Sequence, residues 1–94
     1  MPTKFIDASV AAAETSSTAY PNTVRRRERL TAAFSIVVSS AANVDLQGRM
    51  SSEDAWHKIG STFTATGIAN PQLFPQMRTV MDSNDGTVSA WIDV

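Results

Sequence analysis

The sequence predicts an all-β fold, an antiparallel β-sandwich of jelly-roll type with about seven or eight strands and an extended N-terminal segment. Several segments alternate apolar and polar residues with a period of two, which is typical of strands with one buried face. Clusters of Gly, Pro, Asn and Ser separate these segments at short intervals. Charged residues make up only 18% of the chain, so few windows have the Glu, Lys and Leu content that favours helices.

The C-terminal segments are the most regular. Thr87–Val94 and Met77–Ser83 both alternate, and Asn84–Gly86 between them contains the residue types that accept positive φ in tight turns. A two-residue turn at Asp85 and Gly86 therefore predicts a hairpin. Its cross-strand pairs would be Met81 with Ala90, Thr79 with Ile92, Met77 with Val94, Val80 with Trp91, and Arg78 with Asp93.

The same pattern predicts a second hairpin from Leu30–Val38 and Val44–Met50, joined by a polar loop. Lys4–Val10 is a candidate edge strand, and Gly67–Pro75 is predicted to be a loop because it contains Gly, Asn and two Pro. The remaining β segments are shorter. They are Thr15–Tyr20, Trp56–Ser61 and Phe63–Thr66, and the last two are either separate strands or one strand that continues through a bend at Gly60.

The length of 94 residues predicts one sandwich domain over residues 1–94, with residues 1–13 as a candidate N-terminal arm that orders on a neighbour. The absence of cysteine excludes disulfides and thiolate metal sites. No apolar run approaches the ~20 residues of a membrane-spanning helix. The net charge of −1 gives no general support for nucleic-acid binding, so neither a membrane nor a nucleic acid is an expected partner.

The sequence offers no recognisable catalytic constellation. His57 is the single histidine, and the pattern places it as an exposed strand residue. No G-x-S-x-G nucleophile motif is present. Glu53 and Asp54 lack the ligand spacing of a calcium loop and are better explained as turn residues. We therefore expect a protein that is not an enzyme and that uses no cofactor and no metal.

Two features are candidates for partner contact. Arg25, Arg26 and Arg27 belong to a run that holds four of the eight basic residues, which indicates either a patch for an acidic partner or nucleic acid, or a solvated strand entrance. Trp91 lies on the predicted outer face beside Val80, so it is either a contact residue or a residue covered by the N-terminal segment. Trp56 is expected in the core.

An ordered series of motifs runs from Val44 to Trp91 and follows the Leu30–Val38 strand. Together these segments, about two-thirds of the chain, resemble small sandwich or jelly-roll proteins of tailed-phage virions. In such proteins a V-x-L-Q-G-S-x-D-G-x-x-W segment, a Y/F-P-x-x-R strand entry and a G-T-V-x-A strand follow one another. The matching segments here are Val44–Met50, Trp56, Phe63–Gly67, Phe74–Arg78 and Gly86–Trp91. The Ser51–Ala55 segment departs from the usual Asp-Gly turn.

The resemblance implies a virion structural protein, first of all a capsid decoration (cement) protein that binds and stabilises the major-capsid shell. Its partner would be the major capsid protein or another virion protein, in a homo-oligomer or symmetric multicopy array. It would be made in the host cytoplasm and act on the capsid surface. The alternatives are an accessory protein of the neck, tail or fibre, and a carbohydrate-binding sandwich with Trp91 as the sugar platform.

Overall fold

The computed structural model describes residues 2–20 and 33–93, and their regular secondary structure is entirely β. Strand bounds follow the alternating segments of the sequence. The strands are β1 (Pro2–Ser9), β2 (Glu14–Thr15), β3 (Ala33–Val38), β4 (Ala42–Arg49), β5 (His57–Phe63), β6 (Gly67–Ala69), β7 (Gln76–Asn84) and β8 (Val88–Asp93).

The strands form two four-stranded sheets. Sheet A has the order β1-β8-β3-β6 and sheet B the order β2-β7-β4-β5, with every neighbouring pair antiparallel. The first strand thus pairs with the eighth, the second with the seventh, the third with the sixth and the fourth with the fifth. This is one long antiparallel ribbon folded on itself, the topology of a jelly roll. The predicted all-β antiparallel sandwich is confirmed.

The core lies between the two sheets and contains the inward half of each alternating strand. Phe34 at its centre has no exposed surface, and its ring centroid lies 6.4 Å from that of Phe5 and 5.0 Å from that of Phe63. Around it pack the fully or almost fully buried side chains of both sheets. They are Ile6, Ile36, Val44, Leu46, Met77, Met81, Val88, Ala90 and Ile92.

The predicted C-terminal hairpin is wrong. Strand β7 belongs to sheet B and β8 to sheet A, so the Asn84–Gly86 turn carries the chain from one sheet to the other. Met77 and Met81 therefore oppose Ala90 and Ile92 across the core rather than within one sheet. Alternation identifies the buried face of each strand, but both a hairpin and a sheet-switching arch bury that face.

The predicted second hairpin is wrong for the same reason, because β3 lies in sheet A and β4 in sheet B. The loop between β3 and β4 is therefore also an arch between the sheets, and it packs against the arch between β7 and β8. Ser39 N donates to Thr87 O (3.0 Å), Thr87 N donates to Ser39 Oγ (2.7 Å), and Asp85 N donates to Ala41 O (2.7 Å). Asn84 Oδ1 accepts from Gly86 N (2.9 Å). The two arches thus satisfy one another's backbone groups.

The candidate arm at residues 1–13 contributes a strand to the sandwich. Strand β1 pairs with β8 from Pro2 opposite Asp93 onwards, and both Phe5 and Ile6 are buried. Two consecutive residues point inward because the register shifts between Lys4 and Ile6. The predicted edge strand is therefore present, and residues 2–9 of the candidate arm are part of sheet A rather than free of it.

Local geometry decides three smaller points. Strand β5 runs continuously through the expected bend at Gly60 (φ 71°), which is a bulge between Ile59 opposite Leu46 and Phe63 opposite Val44. The predicted Gly67–Pro75 loop begins with the short strand β6. Thr15–Tyr20 is strand only at its first residue and touches sheet B again through Ala19, which forms a bridge with Met77.

Replacing Thr79 with valine should stabilise the fold. Thr79 has no exposed surface, and its Oγ1 has no hydrogen-bond partner. An unsatisfied buried hydroxyl costs about 1–3 kcal/mol, so Thr79→Val is expected to raise the free energy of unfolding by about 1 kcal/mol in a urea titration. Thr79→Ser is the matched control: it keeps the hydroxyl, loses a methyl group and should destabilise by about 1 kcal/mol. A Thr79→Val variant less stable than the parent would contradict the conclusion that the buried Thr79 hydroxyl has no hydrogen-bond partner.

Candidate interaction surfaces

The outer face of sheet A carries an apolar patch around Trp91. Trp91 on β8 lies between Lys4 on β1 and Ser35 on β3, and Ile68 on β6 lies on the far side of Ser35. Ile68 is 80% exposed and Val37 46% exposed, while Trp91 is half-buried. We call Val37, Ile68 and Trp91 the Trp91 face. Its position on an outer sheet surface agrees with the outward orientation that the sequence predicts for Trp91.

Trp91 also borders a shallow depression of about 380 Å³. Ser35, Ile68 and Asp93 contribute to its lining, together with Ala33 and part of Phe34. At the other side of the indole, Lys4 Nζ lies 5.4 Å from the ring centroid, within cation–π distance. Strand β1 therefore lies beside Trp91 in the same sheet and does not cover the part of the face on β3 and β6.

Two predicted neighbours of this face are wrong because the hairpin is wrong. Val80 lies in sheet B, opposite Thr15 and Asp45, and does not share a face with Trp91. Arg78 pairs with Gln47 in sheet B rather than with Asp93.

The outer face of sheet B carries a second cluster, which the sequence reasoning missed. The Cζ atoms of Arg49 on β4 and Arg78 on β7 each lie 4.3 Å from the ring centroid of Trp56. Arg49 Nε donates to Gln76 Oε1 (2.7 Å), and Arg78 Nε donates to Gln47 Oε1 (2.8 Å). We call Arg49, Trp56 and Arg78 the double-arginine cluster.

The prediction that Trp56 lies in the core is wrong. Trp56 is half-buried and precedes β5 in phase with Lys58, which pairs with Gln47 on the outer face. Trp56 could share the inward face with Ile59 only if a bulge between them changed the alternation. The bulge comes after Ile59, at Gly60, so Trp56 points outward. The signal that could have found the cluster is the outward phase of both arginines in their predicted strands.

The electrostatics of the cluster differ from those of its neighbour Lys58. The two guanidinium carbons are separated by at most twice 4.3 Å, so their charges repel by roughly 0.5–2 kcal/mol. Within residues 2–20 and 33–93, neither arginine has a carboxylate partner. Lys58 Nζ, in contrast, lies 3.6 Å from Asp45 Oδ1, which also accepts from Thr62 Oγ1 (2.6 Å). Lys58 is therefore compensated and the arginines are not.

The adjoining turn holds an acid–base pair. Asp54 Oδ2 accepts from Met50 N (3.1 Å), and Asp54 Oδ1 lies 3.3 Å from Nε2 of the exposed His57. The Met50 hydrogen bond, followed by that of His57, holds the pKa of Asp54 below its ordinary value. Asp54 is thus an ionised group at neutral pH, and its bond to Met50 fits the turn role predicted for this segment.

Arg25, Arg26 and Arg27 lie outside the described residues, so their role as contacts stays a prediction. Among the residues that are described, no three His, Cys, Asp or Glu side chains come together as a metal site. The described part of the chain also contains no helix of the length and apolarity needed to cross a membrane.

Comparison of the chain with protein-family models, with curated proteins and with solved structures found no match. The functional argument therefore depends on the fold, on these two surfaces and on the order of motifs in the sequence.

Proposed function

We propose that this chain is a structural protein of a bacteriophage virion, and within that class a capsid decoration protein that binds the outside of the major-capsid shell. The observation that carries the proposal is the Trp91 face, an exposed apolar patch on the outer surface of a jelly roll. The order of motifs from Val44 to Trp91 supports the same class. The proposed role is binding at the particle surface after synthesis in the host cytoplasm, with no catalytic step and no cofactor.

The surface chemistry of sheet A suits a protein partner. An aromatic side chain flanked by exposed aliphatic residues and rimmed by Ser35, Asp93 and Lys4 has the apolar centre and polar rim of an interface. The long edge strands, β1 of sheet A and β5 of sheet B, both carry bulges, which disfavour pairing of these edges with a strand of another molecule. The faces of the sheets are thus the better docking surfaces, and repetition of one contact by capsid symmetry stiffens a shell without chemistry.

The test is binding to particles of the phage that encodes the chain, with copies located and counted by electron microscopy. On the order of hundreds of symmetric copies supports decoration, whereas about a dozen or fewer assigns the chain to the neck, tail or fibre instead. Failure of the parent protein to bind any virion component overturns the proposal.

Ile68→Asp tests the face itself. A charge in place of the most exposed apolar side chain of the face should weaken particle binding by at least about tenfold. Val10→Asp is the matched control, because Val10 is similarly exposed (77%, against 80% for Ile68) but lies beyond the end of β1, away from the Trp91 face. Both variants should unfold at the parent's temperature. Equal occupancy of Ile68→Asp and parent would contradict the assignment of this face.

The depression beside Trp91 favours a second candidate, a carbohydrate-binding sandwich. Trp91 would provide the platform for a sugar ring, with Ser35 and Asp93 as polar groups beside it. Glycans that quench the intrinsic fluorescence of the parent but not of Trp91→Ala would support this function. If no glycan of a panel quenches the intrinsic fluorescence of the parent, the carbohydrate-binding function is rejected.

A further inference from the structure

The double-arginine cluster is fixed in place without being neutralised. Each guanidinium is held on two sides, by the Trp56 ring and by a glutamine that accepts from Nε. The terminal Nη groups have no partner among the described residues. Two guanidiniums therefore present their terminal N–H groups with little conformational freedom left to lose on binding.

The choice of glutamine is informative. Gln47 and Gln76 occupy the cross-strand positions where glutamate would hold the same arginines and cancel their charge. Sheet B does use a carboxylate next to them, at Asp45, which compensates Lys58. The cluster thus keeps two positive charges close together, beside a lysine whose charge is compensated.

We infer that the double-arginine cluster binds an extended acidic segment of a partner protein, with one carboxylate on each guanidinium. Arginine binds carboxylates in a bidentate, planar geometry. Carboxylates at alternate positions of an extended chain lie about 7 Å apart on one face, within the upper limit of twice 4.3 Å between the two Cζ atoms. A strand-like segment with Asp or Glu at positions i and i+2 meets this limit.

The surroundings favour an acidic protein segment over a nucleic acid. A phosphodiester backbone needs a track of several uncompensated cations, whereas the neighbouring lysine, Lys58, is paired with Asp45. The indole is also engaged by the guanidiniums, so it is a poor platform for base stacking. The two arginines therefore suit a pair of carboxylates better than a continuous phosphate backbone.

The experiment is an NMR titration of the full chain, which needs no virus particle and so is independent of the proposed function. The ligands are an acetylated, amidated heptapeptide with glutamate at alternate positions, the same peptide with glutamine, and an oligothymidylate. We expect the glutamate peptide to shift the Trp56 indole N–H and the Arg49 and Arg78 Nε–H signals. The glutamine peptide and the oligonucleotide should bind at least about tenfold more weakly at physiological salt.

Variants separate charge from geometry. Arg49→Gln and Arg78→Gln should each weaken peptide binding about tenfold, and Arg49→Lys should restore only part of it because lysine lacks the bidentate fork. Lys58→Gln is the matched control: it removes a cation that Asp45 already compensates and should leave affinity within about twofold of the parent. Equal binding of the two peptides, tighter binding of the oligonucleotide, or parent-like affinity of both arginine variants would overturn the inference.

Discussion

Replacing Phe34 with alanine is expected to lower the free energy of unfolding by about 3–5 kcal/mol. Phe34 has no exposed surface, and its ring contacts Phe5 of β1 and Phe63 of β5, so it joins both sheets at the centre of the core. A domain of this size has roughly 5–14 kcal/mol of stability in total. The variant should therefore lose at least about a fifth of its stability and up to all of it, measured by urea unfolding followed by circular dichroism.

Two further variants on β3 keep this prediction testable. Ile36 is also fully buried, and Ile36→Val should cost about 0.5–1.5 kcal/mol even if Phe34→Ala does not fold. Val37 points outward on the same strand and is 46% exposed, so Val37→Ala should cost less than about 1 kcal/mol. A Val37→Ala loss equal to that of Phe34→Ala would mean that the faces of β3 are assigned the wrong way round.

Replacing Gly86 with alanine is expected to destabilise the fold by about 1–3 kcal/mol through overpacking. A methyl group at Gly86 would collide with Ser39 Oγ and lie 3.1 Å from Ser40 Cβ. Ser39 would have to move, and its hydroxyl would lose the hydrogen bond from Thr87 N that joins the two arches. Differential scanning calorimetry of the variant should show a lower unfolding temperature.

Gly67→Ala is the matched control for this substitution. Gly67 has open space where a Cβ would stand and no positive φ, so alanine there should be neutral or stabilise by up to about 1 kcal/mol. The two glycine variants are thus expected to shift stability in opposite directions. If Gly86→Ala matched Gly67→Ala, the close approach of the arches would be disproved.

The sequence was sufficient to predict the strands and their buried faces, because a period of two is a local property. Met77 and Met81 of β7 and Val88 and Ile92 of β8 all point inward as predicted. It was not sufficient to predict strand partners. The choice between a hairpin and an arch at Asn84–Gly86 depends on whether β4 or β8 pairs with β7, and that competition involves residues far apart in the chain.

The candidate surfaces follow the same division. The outward orientation of Trp91 could be predicted from alternation, but its neighbours could not, since Ile68 comes from a strand three residues long within a predicted loop. Trp56 was misplaced because the position of a bulge decides its phase, and Gly60 marks that position only once the register with β4 is known. A cluster whose side chains come from different strands can be predicted only when the register between those strands is known.

The pairing of Pro2 with Asp93 has a consequence for biosynthesis. Among the described strands β1 is made before the others, and its neighbour there in sheet A is β8, which is made last. During translation β1 therefore has no partner strand in sheet A, and Phe5 and Ile6 stay exposed to solvent, until β8 has left the ribosome. Sheet A therefore closes only after synthesis has passed residue 93, and an incomplete nascent chain exposes apolar surface that a chaperone can recognise.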